Sequence, residues 1–254
     1  MTWLGVVGHA LVAFGPLTAL GALVVARRSH LSIVAVAAAF FWMLSGVVSA
    51  VLWVAVPALK TEWFWVVPSG VLIHEAMRWL FFVCYKRAEN AINLALDGDR
   101  GAAAAVAAAA AAPGKAAPLT DLSSSLSAGV GHGLMQAVIV FGSVLENGFG
   151  DGTYFTATCS SMSLFTLLAF TVCFISVMQV AWMILAFDGY RHGSPVRVVG
   201  LLALHMGSSL TTVMNQRQDL CGGGLAVQAA LMCASVGAAW LSRVKLPKVV
   251  RQVD

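Results

Sequence analysis

Hydrophobic residues occupy this chain in seven long runs that polar segments separate. Each run has about the 20 residues that a helix needs to cross roughly 30 Å of hydrocarbon. The runs cover residues 3–26, 31–57, 63–85, 122–145, 154–187, 196–214 and 221–242. None alternates between apolar and polar positions as the strands of a membrane barrel do. The pattern therefore predicts an all-α membrane protein, a bundle of seven transmembrane helices that forms one polytopic domain over residues 1–254.

Two segments depart from this simple pattern. The fifth run is longer than a span needs, so it predicts either a strongly tilted helix or an interfacial turn around "YFTATCSS" before the helix. The longest connection, residues 90–121, contains "GAAAAVAAAAAAPGKAAP", which is too short and too weakly hydrophobic to cross a membrane. We interpret it as a low-complexity cytosolic loop without a functional site.

The distribution of basic residues predicts how the bundle is oriented in the membrane. The chain is 59% hydrophobic and 10% charged, with a formal net charge of +4. One set of connections holds only Lys60 and Arg217. The other set holds twelve basic residues: Arg27, Arg28, Lys86, Arg87, Arg100, Lys115, Arg191, Arg197, Arg243, Lys245, Lys248 and Arg251. The positive-inside rule makes this richer side cytosolic, with the N-terminus outside and the C-terminus inside. The positive net charge therefore comes from the cytosolic rim of a membrane protein among lipids, and we expect no nucleic-acid partner.

The five cysteines suggest no disulfide framework. Cys84, Cys173 and Cys233 lie inside predicted spans, whereas Cys159 and Cys221 fall near the outer ends of two spans. A disulfide between the latter pair is an open alternative, but we do not predict it, because sequence spacing cannot supply the geometry that the bond requires.

Two charged residues lie within the third run, in "HEAMRW". Glu75 and Arg78 are one helical turn apart and can neutralise each other, which predicts a structural ion pair inside the bundle. The alternative is that they belong to a ligand or proton pathway, since charges at membrane depth are costly. The adjacent His74 lacks the second histidine of the zinc-protease pattern, so we predict no metal site.

The sixth run is polar along one face. His205 is followed by Ser208, Ser209 and Thr212 at three, four and seven residues, which places all four side chains on one side of a helix. Such groups can join neighbouring helices through hydrogen bonds of about 0.6 kcal/mol each. Alternatively they form a polar cavity that receives part of a partner protein.

The fourth run contains "SAGVGHGLMQA", in which Gly129, Gly133 and Ala137 stack on one helical face. Seven helices with mostly short connections must pack side by side, and a face of small residues permits the closest approach. We therefore predict a helix-packing stripe there. His132 lies about 100° away from this stripe.

Familiar catalytic patterns are missing from the sequence. "GFGD" at residues 148–151 matches the signature of intramembrane aspartyl proteases, but Asp151 falls in an outer loop and no upstream span carries a partner aspartate. A retinal protein needs a lysine within its last span, and residues 221–242 contain none. We predict no catalytic residue, cofactor or metal. A seven-span receptor or small-molecule transporter with a polar cavity stays an alternative.

Several segments together resemble the anterior-pharynx-defective family, the seven-span scaffold subunit of γ-secretase. "LVAFGPLTAL" resembles the family's first span and "AFFWMLSGVVSAVLW" its second, and Glu75 and Arg78 followed by "KRAE" keep the spacing of its third. "WMILAFDGY" resembles the end of its fifth span, and "GLLALHMGSSLTTVMN" its sixth. The resemblance covers almost the whole chain apart from the alanine-rich loop.

The resemblance implies a function without chemistry of its own. The chain would be a non-catalytic scaffold that assembles with presenilin, nicastrin and the presenilin enhancer, and so supports intramembrane proteolysis of type I membrane proteins. Presenilin would supply the catalytic aspartates. The resemblance also implies membranes of the endoplasmic reticulum, Golgi, endosomes and cell surface as its locations.

The resemblance also assigns roles to individual residues, and at two of these positions the sequence differs from the family pattern. The glycine stripe would support assembly through Gly129, Gly133 and Ala137, the last standing where the family has a third glycine. Two intramembrane histidines would line a cavity that contacts presenilin. His205, with Ser208 nearby, matches one of them, but Gln179 stands at the other. Glutamine exchanges hydrogen bonds but cannot become a cation, so a mechanism that needs two titratable histidines does not transfer to this chain.

Overall fold

Seven helices, each long and apolar enough to span a membrane, make up most of the structure. The computed structural model describes residues 3–57, 59, 62–98, 121–145, 148, 154–217 and 220–244. The helices are α1 Trp3–Leu20, α2 Ser29–Ala55, α3 Trp63–Gly98, α4 Asp121–Leu145, α5 Leu164–Arg191, α6 Pro195–Thr211 and α7 Cys221–Val244. A π-helical turn, Gly21–Val25, extends α1, and a 3-10 turn, Thr212–Gln216, extends α6. The predicted seven-helix membrane fold is confirmed.

The end of α3 differs from the prediction. The helix continues to Gly98, far beyond residue 85, so the prediction of a loop is wrong for residues 90–98. The sequence "NAINLALDG" explains the extension, because alanine and leucine favour helix and the first glycine, a common helix terminator, comes at its end. The alanine-rich part of the predicted loop, residues 99–120, lies outside the described residues, as does Asp151.

The fifth span starts with the predicted interfacial turn. Residues 154–163 are non-helical and contain an isolated bridge between Thr156 and Cys159. Helix α5 begins only at Leu164, where the Ser163 hydroxyl accepts a hydrogen bond from the Thr166 amide at 3.2 Å. This side-chain cap satisfies one of the amides that a helix start leaves unpaired.

A disulfide joins this turn to the start of α7, which the sequence did not lead us to expect. Cys159 and Cys221 are bonded, with their Cα atoms 5.9 Å apart. The expectation of unpaired cysteines is therefore wrong. The Thr158 hydroxyl donates to the Asn215 carbonyl at 2.9 Å, which fixes the turn beside the end of α6 and so beside Cys221. Because this geometry arises from tertiary contacts, sequence spacing could not reveal it.

Helices α4 and α5 form the centre of the bundle, since 50% and 56% of their most hydrophobic stretches are buried. The small-residue stripe of α4 faces α5. A Cβ atom added at Gly129 would lie 2.5 Å from the Val180 Cα, and one added at Gly133 would lie 2.7 Å from the Ser176 carbonyl oxygen. Ala137 is fully buried beside the same helix.

The opposite side of α4 packs equally closely, which the sequence analysis missed. A Cβ atom added at Gly131 would lie within 2.7 Å of the Ala35 carbonyl carbon in α2. The Ser127 hydroxyl donates to the Leu31 carbonyl oxygen of the same helix at 2.5 Å. Glycines on two faces thus let α4 fit between α2 and α5.

Candidate functional site

The buried charges of α3 lie at the centre of the candidate site. Glu75 and Arg78 form an ion pair across one helical turn. The Arg78 side chain is 1% exposed and that of Glu75 is 13% exposed. Removing two charges from water is expensive, so such a pair persists only when further hydrogen bonds satisfy its remaining polar atoms.

His205 of α6 supplies one of these bonds. Its Nδ1 lies 2.5 Å from Oε1 of Glu75. A carboxylate only accepts hydrogen bonds, so Nδ1 of His205 carries the hydrogen in this contact. The ion pair and the polar face of α6 were separate features in the sequence, and the structure joins them into one site.

Gln179 of α5 supplies a further bond to Arg78, whose Nε has no hydrogen-bond partner among the described residues. Nη2 of Arg78 donates to Oε1 of Gln179 at 2.6 Å, and Nε2 of Gln179 donates to Oε1 of Gln136 in α4 at 2.8 Å. The guanidinium fixes the amide orientation, because it can only donate. A protonated histidine at position 179 could not accept from Arg78, since both of its ring nitrogens would donate. Glutamine therefore suits a position that faces a cation.

Aromatic and hydroxyl groups extend the site to the remaining neighbours. The Trp182 ring lies 4.5 Å from the His205 ring, centroid to centroid, and 5.9 Å from Cζ of Arg78. Its Nε1 donates to the Ser235 hydroxyl of α7 at 3.1 Å. On the other side, Nδ1 of His74 lies 2.6 Å from the Ser45 hydroxyl of α2.

We refer to these connected residues as the interior network. Its members come from α2 to α7 and are Ser45, His74, Glu75, Arg78, Gln136, Gln179, Trp182, His205 and Ser235. Hydrogen bonds inside a low-dielectric bundle hold their partners in fixed positions. The network therefore fixes how six helices sit relative to one another.

Two other predicted residues lie beside the network without joining its hydrogen bonds. Ser208 is 1% exposed, and within the described residues its hydroxyl has no hydrogen-bond partner. His132 is buried and packs against Phe81 of α3, with ring centroids 6.3 Å apart. Ser208 thus presents an unused polar group one turn from His205.

Carboxylates elsewhere in the described helices also pair with cations. An aspartyl protease instead needs two carboxylates that share a proton. Besides the Glu75 pair, the ion pairs are Glu89 with Lys86 and Arg191, Asp121 with Arg191, and Asp188 with Arg197. The helical carboxylates whose side chains are described are therefore neutralised by cations, and none of them forms such an acid pair.

Gln136 and Ser235 belong to the site but were not predicted from the sequence. Gln136 had a readable signal, because it follows Gly129 by seven residues and so shares the face that packs on α5. Ser235 had none, since a lone serine in an apolar helix is as often a packing residue as a hydrogen-bond partner.

Comparison with known proteins places this architecture in a family. The family model described as Aph-1 protein matches residues 4–245. "Gamma-secretase subunit APH1-like" of Arabidopsis thaliana is 28% identical over 226 residues, which are 87% of this chain and 85% of that protein. "Gamma-secretase subunit APH-1B" of Mus musculus is 27% identical, over 82% and 77% of the two chains. "Gamma-secretase subunit Aph-1" of Drosophila melanogaster is 24% identical, over 83% and 81%.

These matches agree with the segments that suggested the family, and they give no support to the receptor or transporter alternative. The family match runs from the first helix to the end of the last, so it includes every helix of the interior network. The chain belongs to the Aph-1 family.

Proposed function

We propose that this chain is the non-catalytic scaffold subunit of a γ-secretase complex. It assembles with presenilin, nicastrin and the presenilin enhancer, and so supports intramembrane proteolysis of type I membrane proteins. The observation that carries this proposal is the interior network, in which His205 and Gln179 meet the Glu75–Arg78 pair. These are the positions at which the family resemblance implies contact with presenilin.

The network supports a scaffold role because its polar groups bond the helices of this chain to one another. Arg78, Glu75 and Gln179 are each engaged by neighbours in other helices. Pre-organised helices lose less conformational freedom when a partner docks. Ser208, whose buried hydroxyl has no partner in the described chain, belongs to the same polar interior that the resemblance assigns to contact with presenilin.

The charge pairing supports the proposal that the chain has no catalytic role. Among the described helices, each carboxylate whose side chain is placed faces a cation, whereas an acid pair needs two carboxylates in contact. We assign helix packing and assembly to Gly129, Gly133 and Ala137, and place the chain as one polytopic domain in the endoplasmic reticulum, Golgi, endosomes and plasma membrane.

We also propose that the N-terminus is outside and the C-terminus cytosolic. The disulfide supports this orientation independently of the basic residues. Disulfides persist in oxidising compartments and are rare in the cytosol. Cys159 and Cys221 lie at the start of α5 and of α7, the opposite membrane side from Arg191 and Arg243 at the ends of these helices.

Counting free thiols tests the disulfide behind this orientation. Denatured without reductant, the protein should react with maleimide–polyethylene glycol at Cys84, Cys173 and Cys233 only. It should therefore show three mass increments without reductant and five after reduction. Cys159→Ser should show four without reductant, because Cys221 becomes free. Five increments on the unreduced wild type would remove this support for the orientation.

Purification in mild detergent tests the scaffold role. Affinity-tagged wild type should recover a presenilin-type protein in stoichiometric amount. His205→Ala should lower that recovery more than His132→Ala, although both remove a buried imidazole, because only His205 belongs to the interior network. Ser208→Ala breaks no hydrogen bond within the described chain, so it should not lower the subunit's own melting temperature. A lower recovery of the presenilin-type protein by this variant would therefore assign the hydroxyl to the partner. A monodisperse chain that recovers no presenilin-type protein would contradict the proposal.

A further inference from the structure

An apolar groove of about 510 Å³ opens between α1, α4, α5 and α7. Leu17, Leu126, Val180 and Trp240 line it, one from each of these helices. They lie toward the end of α1, the start of α4, the second half of α5 and the end of α7, so the groove lies toward the side rich in basic residues. Its volume falls within the range of about 300–1,000 Å³ that is usual for ligand sites.

An arginine with two unpaired donor atoms lies at the mouth of this groove. Arg243 lines it, and the buried Nε and Nη2 atoms of that residue have no hydrogen-bond partner among the described residues. Asp121, which interacts electrostatically with Arg243, pairs directly with Arg191. A buried donor left unpaired is costly, so the arrangement favours an anion from outside the chain.

Two further features of the mouth fit an anionic headgroup. Leu122, in the first turn of α4, also lines the groove, so the positive end of the helix dipole lies there. Trp240 is 71% exposed, and tryptophans gather at the depth of lipid headgroups. In the sequence, Lys245, Lys248 and Arg251 follow Arg243, and basic clusters next to a span attract anionic lipids.

We propose that this groove binds an anionic glycerophospholipid of the cytosolic leaflet, with its phosphate on Arg243 and an acyl chain along the apolar floor. The leaflet follows from the orientation proposed above. A lipid of this class matches both parts of the site, because one molecule brings the hydrocarbon and the negative charge to the required depths. A partner's transmembrane helix would fill the floor but would leave Arg243 unpaired unless it carried an acid there.

Native mass spectrometry of the full chain in detergent tests this site. Dioleoylphosphatidylserine should bind more tightly than dioleoylphosphatidylcholine. Arg243→Gln should weaken phosphatidylserine binding by about fivefold, the effect of one basic residue near an anionic surface. It should weaken phosphatidylcholine binding less, because the choline cation offsets the charge of the same phosphate. Arg87→Gln is the matched control, because Arg87 is an exposed arginine of α3 that does not line the groove.

A second pair of variants tests the floor of the groove. Val236 lines it and is 45% exposed, so Val236→Trp should occupy the groove without disturbing the core and lower the binding of both lipids. Val199→Trp places the same ring on an exposed face of α6 and should change neither.

Three results would overturn the proposal. One is equal binding of the two lipids by the wild type. Another is a preference that survives Arg243→Gln but disappears in the Lys245→Gln/Lys248→Gln variant, which would assign the anion to the terminal segment. The third is a photoreactive residue at position 236 that cross-links to a protein partner and not to lipid in the assembled complex.

Discussion

Replacing Arg78 by methionine should destabilise the folded protein by about 3–5 kcal/mol, because it leaves the Glu75 carboxylate buried without its cation. The same change removes the donor to Gln179, whose Oε1 then lacks its strongest partner. An SDS titration of the micelle-embedded protein, followed by circular dichroism, measures the loss of unfolding free energy. The Glu75→Gln/Arg78→Met double variant should recover part of this loss, since neither charge then stays unpaired.

Lys86→Met provides the control for Arg78→Met on the same helix. Lys86 pairs with Glu89 at 2.8 Å, but its side chain is 32% exposed and Glu89 keeps a second partner in Arg191. Ion pairs of this kind contribute about 0–1 kcal/mol. If the two variants lost the same stability, Arg78 would not hold the buried position that the structure assigns to it.

Gly131→Ala should also destabilise the protein, by about 1–3 kcal/mol, the usual cost of excess volume in a packed core. The added methyl group would meet the backbone of Ala35, which cannot turn aside as a flexible side chain can. The melting temperature in detergent and the yield of monodisperse protein measure the effect. Helix α2 would have to move away from α4 to accommodate the change.

Gly142→Ala tests whether this loss comes from packing. A Cβ atom at Gly142 would meet nothing within 4 Å in the same helix α4. Because alanine favours helix over glycine by about 1 kcal/mol, this variant should be neutral or slightly stabilised. A Gly131→Ala protein as stable as Gly142→Ala would show that α2 and α4 are not in the close contact described.

The hydrophobic pattern predicted the fold because lipid imposes one rule on every span. Backbone groups must be satisfied within each segment, so seven sufficiently long apolar runs become seven helices. The ends of the helices follow different forces. The extension of α3 to Gly98 comes from helix propensity beyond the hydrophobic run, and the turn before α5 is held by a cap at Ser163 and the bond from Thr158 to Asn215. Hydrophobicity predicts neither the extension of α3 nor the turn before α5.

The sequence predicted which residues form the candidate site better than it predicted which of them contact each other. Glu75 and Arg78 could be paired from one helix, because residues three apart share a face. The contact of Glu75 with His205 joins residues 130 apart, and that of Arg78 with Gln179 joins residues 101 apart. These pairings depend on the order in which the helices are arranged around the bundle. A single sequence with short connections does not determine that order.

The sequence distance within the interior network has a consequence for biosynthesis. At about 5–20 residues per second, the ribosome delivers Gln179 and His205 roughly 5–25 seconds after Arg78. During that interval Arg78 has Glu75 as its partner within the same helix. The local pair therefore lets α3 enter the membrane with its charges neutralised, long before the helices that will enclose it exist.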